Sequence, residues 1–595
     1  MRSSQSRGRR PPAALLIVCA LSPAAAVAQT GNSNALEEIV VEATRLSRTL
    51  GSMPSAVTVI GEDEIQLGRQ QLGLDEALTR VPGLFMQNRY NFSRDLRISI
   101  RGFGARADFG IRGVKILVDG IPETLPDGSG QVDSIDLGAT RSIEVIRGPS
   151  SAIYGNASGG VISVTSEDGP EDPYLSTRLL AGEFGFSKVQ LKAGGQTDNM
   201  NYLVSLSDME LDGYRQQSRF ENTQFSGRFR FDLGNDSSFL AVVNHTDQPM
   251  AQDPGGINAA QAAADPRSAR DRNVDFDTGE TMEQTRLGFV YTTPIGDNGE
   301  LAARSYFVSR DFTNKLPQFP VADAVDLPRD FAGVGLSYSH EGTWNGRANR
   351  LIVGFDMDDQ DDNRKRFINN RGVLEDLIFD QNESFESRGV FLQNELSVSD
   401  DLLLTLGIRF DQVDYTVTDR FLDDGDDSGA RSMDDVSPMA GISYALSQQL
   451  SLFGTVSTGF ETPSTTDFAN PTGGGGFNQA LDPQTATNYE VGLRGTLGER
   501  HFLEASVFTV DVEDELVPSD FDGRDFFQNA GTSNRSGIEL SLISNFSERV
   551  RTSLAVSYGQ FEFDDFRIVS FDAGGTPTIS DDFSGNNIPG TVEQL

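Results

Sequence analysis

Residues Arg97–Thr165 read RISIRGFGARADFGIRGVKILVDGIPETLPDGSGQVDSIDLGATRSIEVIRGPSSAIYGNASGGVISVT. Four short β-branched runs, Ile98–Ile100, Val114–Val118, Ile143–Ile146 and Val161–Val164, alternate with loops dense in Gly, Asp, Arg and Pro. β-Branched side chains suit a pleated surface, and Gly and Pro punctuate the chain between such runs. The stretch predicts a small, turn-rich sheet domain without a long helix. Its apolar residues cannot form the core of a 595-residue chain. The remaining sequence must hold this domain and be served by it.

C-terminal to it, from about Pro170, the texture changes. Segments of roughly ten residues alternate apolar and polar, the pattern of strands that face lipid on one side and a polar lumen on the other. Leu402, Leu404, Leu406, Ile408 and Phe410 share one face, with Thr405, Gly407, Arg409 and Asp411 on the other. Tyr489, Val491 and Leu493 oppose Glu490, Gly492 and Arg494, and Ile538, Leu540 and Leu542 oppose Glu539 and Ser541. Roughly 17–18 such segments occur. Short connections (447–449, 498–500) alternate with long acidic ones, read here over 356–366, 422–435 and 470–482. Short turns at one rim and long loops at the other fit a transmembrane barrel. The acidic runs lack the spacing and closing Glu of a calcium loop, so they are read as solvated loops and no metal site is assigned.

N-terminal to it, residues 54–60 predict a strand and Leu74–Arg80 a short helix ended by Val81-Pro82-Gly83. Residues 36–45, LEEIVVEATR, form an isolated extended run. They read either as an edge strand or as a donor strand that pairs with another protein's sheet. The first 28 residues carry Arg2, Arg7, Arg9 and Arg10, an apolar stretch Ala13–Ala20 and the small-residue site Ala26-Val27-Ala28. That is a secretory signal, and the single cysteine, Cys19, lies inside it. Removal of this segment takes the formal charge from −38 to −42. So acidic a chain lacks the basic footprint of a nucleic-acid binder. Scattered His245, His340 and His501, with no nucleophile elbow, argue against an enzyme.

Three motifs carry a family resemblance: Ile100-Arg101-Gly102-Phe103-Gly104, Leu117-Val118-Asp119-Gly120-Ile121-Pro122, and Ile143–Pro149 running on to Tyr154-Gly155 and Gly159–Ile162. In order and spacing they resemble the plug domain of TonB-dependent outer-membrane receptors. Within that family, Gly83–Gly113, Pro126–Gln131, Tyr154–Gly160, Asp253–Gly256 and Thr458–Pro463 are most similar to the group that includes receptors for pyrroloquinoline quinone and ferric siderophores. The resemblance implies an all-β fold: an antiparallel barrel of about 22 strands with an α+β plug in its lumen. It divides the chain into signal peptide (1–28), periplasmic leader with a TonB box (29–50, the box at about 38–43), plug (51–168) and barrel (169–595). The alternating segments are fewer than the family barrel requires and the chain ends without a terminal aromatic residue, so the last strands are expected to be missing from this sequence. With the resemblance in place, the donor-strand reading of Glu38, Ile39, Val40, Val41, Glu42 and Ala43 is preferred, with TonB as its partner.

The implied function is energised import of a scarce organic ligand or metal chelate across the outer membrane of a Gram-negative cell. Pyrroloquinoline quinone is the first ligand reading and a ferric siderophore the alternative; no cofactor is implied. A passive porin or adhesin would need neither plug nor donor strand. For ligand contact at the plug's outer end the residues chosen are Arg89, Tyr90, Phe92 and Arg94, then Arg106 and Phe109, then Asp127 and Gln131. Guanidiniums pair carboxylates bidentately and stack on flat rings, which suits an anionic planar ligand such as pyrroloquinoline quinone and equally a ferric carboxylate chelate. The competing reading is that these arginines bridge plug to barrel wall. Arg101, Arg147 and Glu144 are read as plug–barrel or intra-plug ion-pairing groups.

Overall fold

The computed structural model describes residues 40–591, except 44, 46, 47, 106, 108, 109, 319, 320, 424, 469–476, 499, 522, 523, 530, 548 and 572–576. The signal segment, Glu38, Ile39, Arg106 and Phe109 therefore lie outside the described residues.

The quoted stretch forms most of a five-stranded sheet, ordered in space as Val57–Gly61, Thr140–Arg147, Gly160–Ser166, Val114–Val118 and Ile121–Pro122. Neighbours are antiparallel except Val114–Val118 and Gly160–Ser166, which run parallel with Val114 opposite Gly160. One face buries Ile60, Ile116, Ile143, Val145, Ile162 and Val164 against the short helices and the hairpin of Leu84–Gln87 with Arg97–Ile100. Full burial of each such aliphatic contributes about 1.5–3 kcal/mol, which is what lets so turn-rich a segment fold. Strand and helix bounds shift slightly from expectation, to Val57–Gly61 and Asp75–Leu78. At Gly160 the backbone has φ +139°, and a Cβ there would stand 2.2 Å from the Ile146 carbonyl oxygen. Only glycine lets the two strands approach this closely.

Around this plug runs one antiparallel sheet of 17 strands, from Tyr174–Ala181 to Val550–Asp565, each paired to its sequence neighbour within the sheet. Hairpins Leu516–Phe521/Arg524–Asn529 and Arg567–Phe571/Pro577–Asp582 stand outside it. Tyr174–Ala181 and Val550–Asp565 are its two edges. The alternation read from sequence sorts the side chains as expected. In Leu402–Asp419, Leu406, Ile408 and Phe410 are exposed on the outer face, while Thr405, Arg409 and Asp411 are buried against the plug. Glu490 and Glu539 likewise turn inward, and Val491 and Ile538 outward. Among the described residues no helix is long and apolar enough to cross a membrane; the strands carry the apolar surface.

One expectation fails. Residues 356–366 are not a loop: they lie inside the strand Arg347–Asn370, and 429–435 belong to the strand Gly429–Ser447. Asp356, Asp358, Gln360 and Asp362 occupy alternate positions and are buried on the inner face. A strand whose inner face meets Arg45 of the leader and Arg304, Arg329 and Arg409 of the wall itself can carry acids at alternate positions. By composition alone such a strand is indistinguishable from a solvated acidic run.

Candidate functional site

Three sets of contacts fasten the plug and its leader to the wall. The first is an arginine clamp. Arg101 follows the strand Arg97–Ile100 at φ +51°, and Arg147 ends Thr140–Arg147. Arg101 donates to Glu490 at 2.6 Å and to Glu539 at 2.9 Å, with its guanidinium 4.0 Å from the Phe508 ring centroid. Arg147 reaches Glu539 at 3.1 Å and also pairs with Glu504. Arg494 on the wall pairs with Glu504 at 3.1 Å and donates to the Leu50 carbonyl at 2.8 Å. All of these side chains are nearly fully buried, so each charge requires its partner. Burial works against the charged form of Arg101, but the two carboxylates outweigh it and hold the guanidinium protonated.

The second set holds the leader. Val40–Val41 pairs antiparallel with Arg48–Thr49. The next two N–H groups, of Glu42 and Ala43, donate to the Glu144 carboxylate at 3.0 and 2.7 Å. The Tyr154 hydroxyl donates to the Ala43 carbonyl at 2.6 Å. Val41 and Ala43 are buried. Burial pushes the Glu144 carboxyl above its ordinary value, although the two N–H donors pull the other way. Beyond the box, Arg45 pairs with Asp356 of the wall at 2.8 Å, and Arg48 pairs with Glu395. The Arg45 guanidinium also sits 5.0 and 4.6 Å from the Tyr154 and Phe391 ring centroids.

The third set is at the loop 88–96, between the strands Leu84–Gln87 and Arg97–Ile100. Phe92 stacks on Phe220 of the wall at 4.1 Å between centroids. Asn91 and Arg94 both donate to Asp253, at 3.1 and 3.3 Å. Arg89 bonds Asp75 within the plug at 2.8 Å and keeps about two fifths of its side chain exposed (41%). Tyr90 is 64% exposed, with the Arg89 guanidinium 5.9 Å from its ring centroid. Burial lifts the Asp75 carboxyl while Arg89 draws it down. Asp127 lies apart from this loop, buried in its own turn: it accepts from Ser129 N and Oγ at 2.9 and 2.6 Å, and its N–H donates to Gln360 at 3.3 Å. Gln131 makes a long 3.5 Å contact with Asp95.

The structure thus brings Arg89, Tyr90, Phe92 and Arg94 together in one loop, with Phe92 and Arg94 engaged by the wall and Arg89 and Tyr90 facing outward. Glu144 and Tyr154 as the leader's holders, Asp253 as the loop's anchor and Asp356 as the wall's partner for Arg45 were not legible as functional residues. The Tyr154-Gly155 motif was noted in the sequence, but nothing local to it points to residue 43.

A turn-rich sheet domain seated within an antiparallel wall, with apolar side chains outward and ionic clamps inward, defines a plugged β-barrel of the outer-membrane receptor class. Residues 194–594 match the family model described as TonB dependent receptor-like, beta-barrel, and residues 49–161 match the TonB-dependent Receptor Plug Domain. The chain belongs to the TonB-dependent receptor family, whose members are outer-membrane proteins.

The hemin receptor of Yersinia enterocolitica is 29% identical over 236 residues, covering 37% of this chain and 33% of that receptor. The vitamin B12 transporter BtuB of Vibrio vulnificus is 26% identical over 80% of this chain and 69% of its own length. The ferrioxamine B receptor of Salmonella typhimurium is 23% identical over 88% and 76% respectively. Among solved structures, the unliganded ferric citrate transporter FecA superposes with a TM-score of 0.76 at 17% identity, covering 92% of this chain and 81% of that one. The siderophore receptor PiuA from Acinetobacter baumannii superposes at 0.73 and 16% identity, covering 92% and 84%. At these identities the superpositions speak for the fold. The named relatives are receptors and transporters rather than enzymes.

Proposed function

We propose that the protein imports a scarce anionic ligand across the outer membrane, driven by TonB. The observation that carries the reading is the fastening of Glu42 and Ala43 to Glu144 and Tyr154. A segment of the predicted donor-strand type is held with its backbone groups already engaged. A partner could add a strand to it only after it detaches, because β-augmentation needs those same N–H and C=O groups. Ligand binding at the Arg89–Tyr90 face would favour the detached state, by differential contacts in the two states. Pulling on the freed leader would then move the plug against its ionic clamp. An N-terminal signal peptide delivers the chain and is removed.

For the ligand, exposed Arg89 beside the Tyr90 ring suits a flat polycarboxylate, and the sequence resemblance points to pyrroloquinoline quinone. A ferric siderophore is the second reading, favoured by relatives named as ferrioxamine B and siderophore receptors. Uptake of labelled quinone and of a panel of ferric chelates, with and without residues Glu38–Ala43, tests both. The expected result is loss of uptake with surface binding retained. Uptake that survives the deletion would refute the energised mechanism, and uptake of chelates alone would refute the quinone.

A further inference from the structure

The turn 183–186 joins the wall strands Tyr174–Ala181 and Ser187–Gln196. Phe186 N donates to the Glu183 carbonyl at 3.2 Å, and both central residues are left-handed, Phe184 at φ +57° and Gly185 at φ +72°. A hairpin turn of this kind favours Asn-Gly, because most L side chains are strained at its first central position. A bulky aromatic there is an outlier. Such outliers persist only where the surroundings hold them. Here they do: the N–H groups of Asp212 and Gly213 donate to the Phe184 carbonyl at 2.9 and 3.2 Å.

The ring held in this way is not buried in a core. It is 40% exposed and meets Tyr214, 47% exposed, edge to face at 5.4 Å between centroids. The Arg267 guanidinium stands 5.8 Å from the Phe184 centroid and 5.2 Å from the Tyr214 centroid. Arg267 is itself exposed and has no ion-pair partner among the described residues. In a chain with 87 Asp and Glu against 49 Lys and Arg, that leaves an open guanidinium where carboxylates are plentiful.

Three connections, 182–186, 212–219 and 253–278, supply these groups, and the last two are braced to each other. Arg215 donates to the carbonyls of Gly255 and Ser268 at 2.7 and 2.8 Å, and Gln216 N donates to the Arg267 carbonyl at 2.8 Å. The cation and the two rings are therefore in place before a ligand arrives, which lowers the ordering cost of binding. Phe220, which follows 212–219, stacks on Phe92, and Asp253, which opens 253–278, holds Asn91 and Arg94. The plug loop that carries Arg89 and Tyr90 thus lies at the foot of this platform. A guanidinium pairs carboxylates, and aromatic faces and edges pack on flat rings. The combination selects a flat ring that bears carboxylates over either feature alone.

We propose that Phe184, Tyr214 and Arg267 form a rim station for an aromatic carboxylate, which takes the ligand before the plug does. The inference rests on the import reading in placing the station on the ligand's path. Binding there does not require transport.

Saturation-transfer NMR titration of the purified full chain with trimesate, a flat benzene ring bearing three carboxylates, tests it. The cyclohexane counterpart of trimesate keeps the charge without the flat ring, and trimethyl trimesate keeps the ring without the charge. Both should bind several-fold more weakly than trimesate. Arg267→Gln should weaken trimesate about tenfold, the loss of one charge-assisted contact. Phe184→Asn suits the left-handed turn better than Phe does. It should weaken trimesate several-fold while the unfolding temperature holds or rises. Equal binding of the cyclohexane acid, or unchanged trimesate binding in Arg267→Gln, overturns the proposal. So does a Phe184→Asn variant that melts earlier, because the ring would then be a prop for the loops. Trimesate binding that depends on Arg267, in a chain that imports neither quinone nor ferric chelates, would sink the import reading and leave the station standing. Import by a chain whose trimesate binding ignores Arg267 would sink the station alone.

Discussion

Tyr154 gives its hydroxyl hydrogen to the backbone carbonyl of Ala43 at 2.6 Å, so an aromatic residue of the plug holds the main chain of the leader. Tyr154 also packs under the Arg45 guanidinium. Removing the hydroxyl in Tyr154→Phe leaves the ring and its stacking in place but strips one acceptor of its partner. Loss of such a bond costs about 0.5–1.5 kcal/mol, and the docked leader should loosen accordingly. A Val41→Cys reporter, buried in the docked leader, should react with a maleimide several-fold faster in the Tyr154→Phe background. Equal rates would mean that the bond does not hold the leader.

Glu144 makes the stability of the fold depend on pH. In the folded protein its carboxyl stands above the ordinary value of 4.5, through burial first, while the N–H donors of Glu42 and Ala43 pull it down. The contribution of this group to stability is therefore greatest below about 4.5 and is lost as the pH rises through the window above it. Glu144→Gln should flatten that part of the pH dependence of the unfolding temperature; an unchanged profile would show that Glu144 does not contribute to it.

The clamp should behave as a unit. Arg101→Ala leaves Glu490 and Glu539 buried beside a single remaining arginine, Arg147 on Glu539. Breaking a buried pair from one side costs about 3–5 kcal/mol. The double variant Arg101→Ala/Glu490→Gln should be destabilised by clearly less than the sum of its singles, because the stranded charge is gone. Thermal unfolding of the purified receptor measures the cycle; strict additivity would show that the two side chains do not communicate.

At the loop 88–96 two neighbouring arginines should separate by role. Arg94→Ala removes a partly exposed pair with Asp253 and should cost about 0.2–1 kcal/mol of stability. Arg89→Ala with Tyr90→Ala removes the outward-facing pair and should reduce ligand affinity with little change in unfolding temperature. Ligand titration and thermal melts on both variants discriminate the roles, and a reversed pattern would place the ligand nearer Asp253.

Gly160→Ala should be among the more damaging single-methyl changes. Its Cβ would enter the space of the Ile146 carbonyl at a φ that L residues avoid, at a cost above about 1 kcal/mol. The yield of heat-resistant folded receptor in outer membranes is the measurement.

Much of the architecture follows from periodicity alone. The two-residue alternation in 402–411 puts lipid-facing and lumen-facing residues on opposite sides whatever the barrel's size, because a strand's side chains alternate by geometry. The β-branched runs between glycine-rich turns in 97–165 likewise imply the plug's sheet before any contact is known. The acidic run 356–366 was misread because composition cannot tell a carboxylate facing water from one facing an arginine. Only the fold brings Arg45 and Arg409 to Asp356. The same holds for the pairing of residues 43 and 154, and of 101 with 490 and 539. Each depends on segments tens to hundreds of residues apart in the chain meeting in space. The sequence by itself determined the alternating strands of the wall and the turn-rich sheet of the plug, since strand alternation and turn chemistry are local. Which charges clamp and which groups hold the leader was decided by the tertiary structure, since ionic partnership is a matter of distance in space.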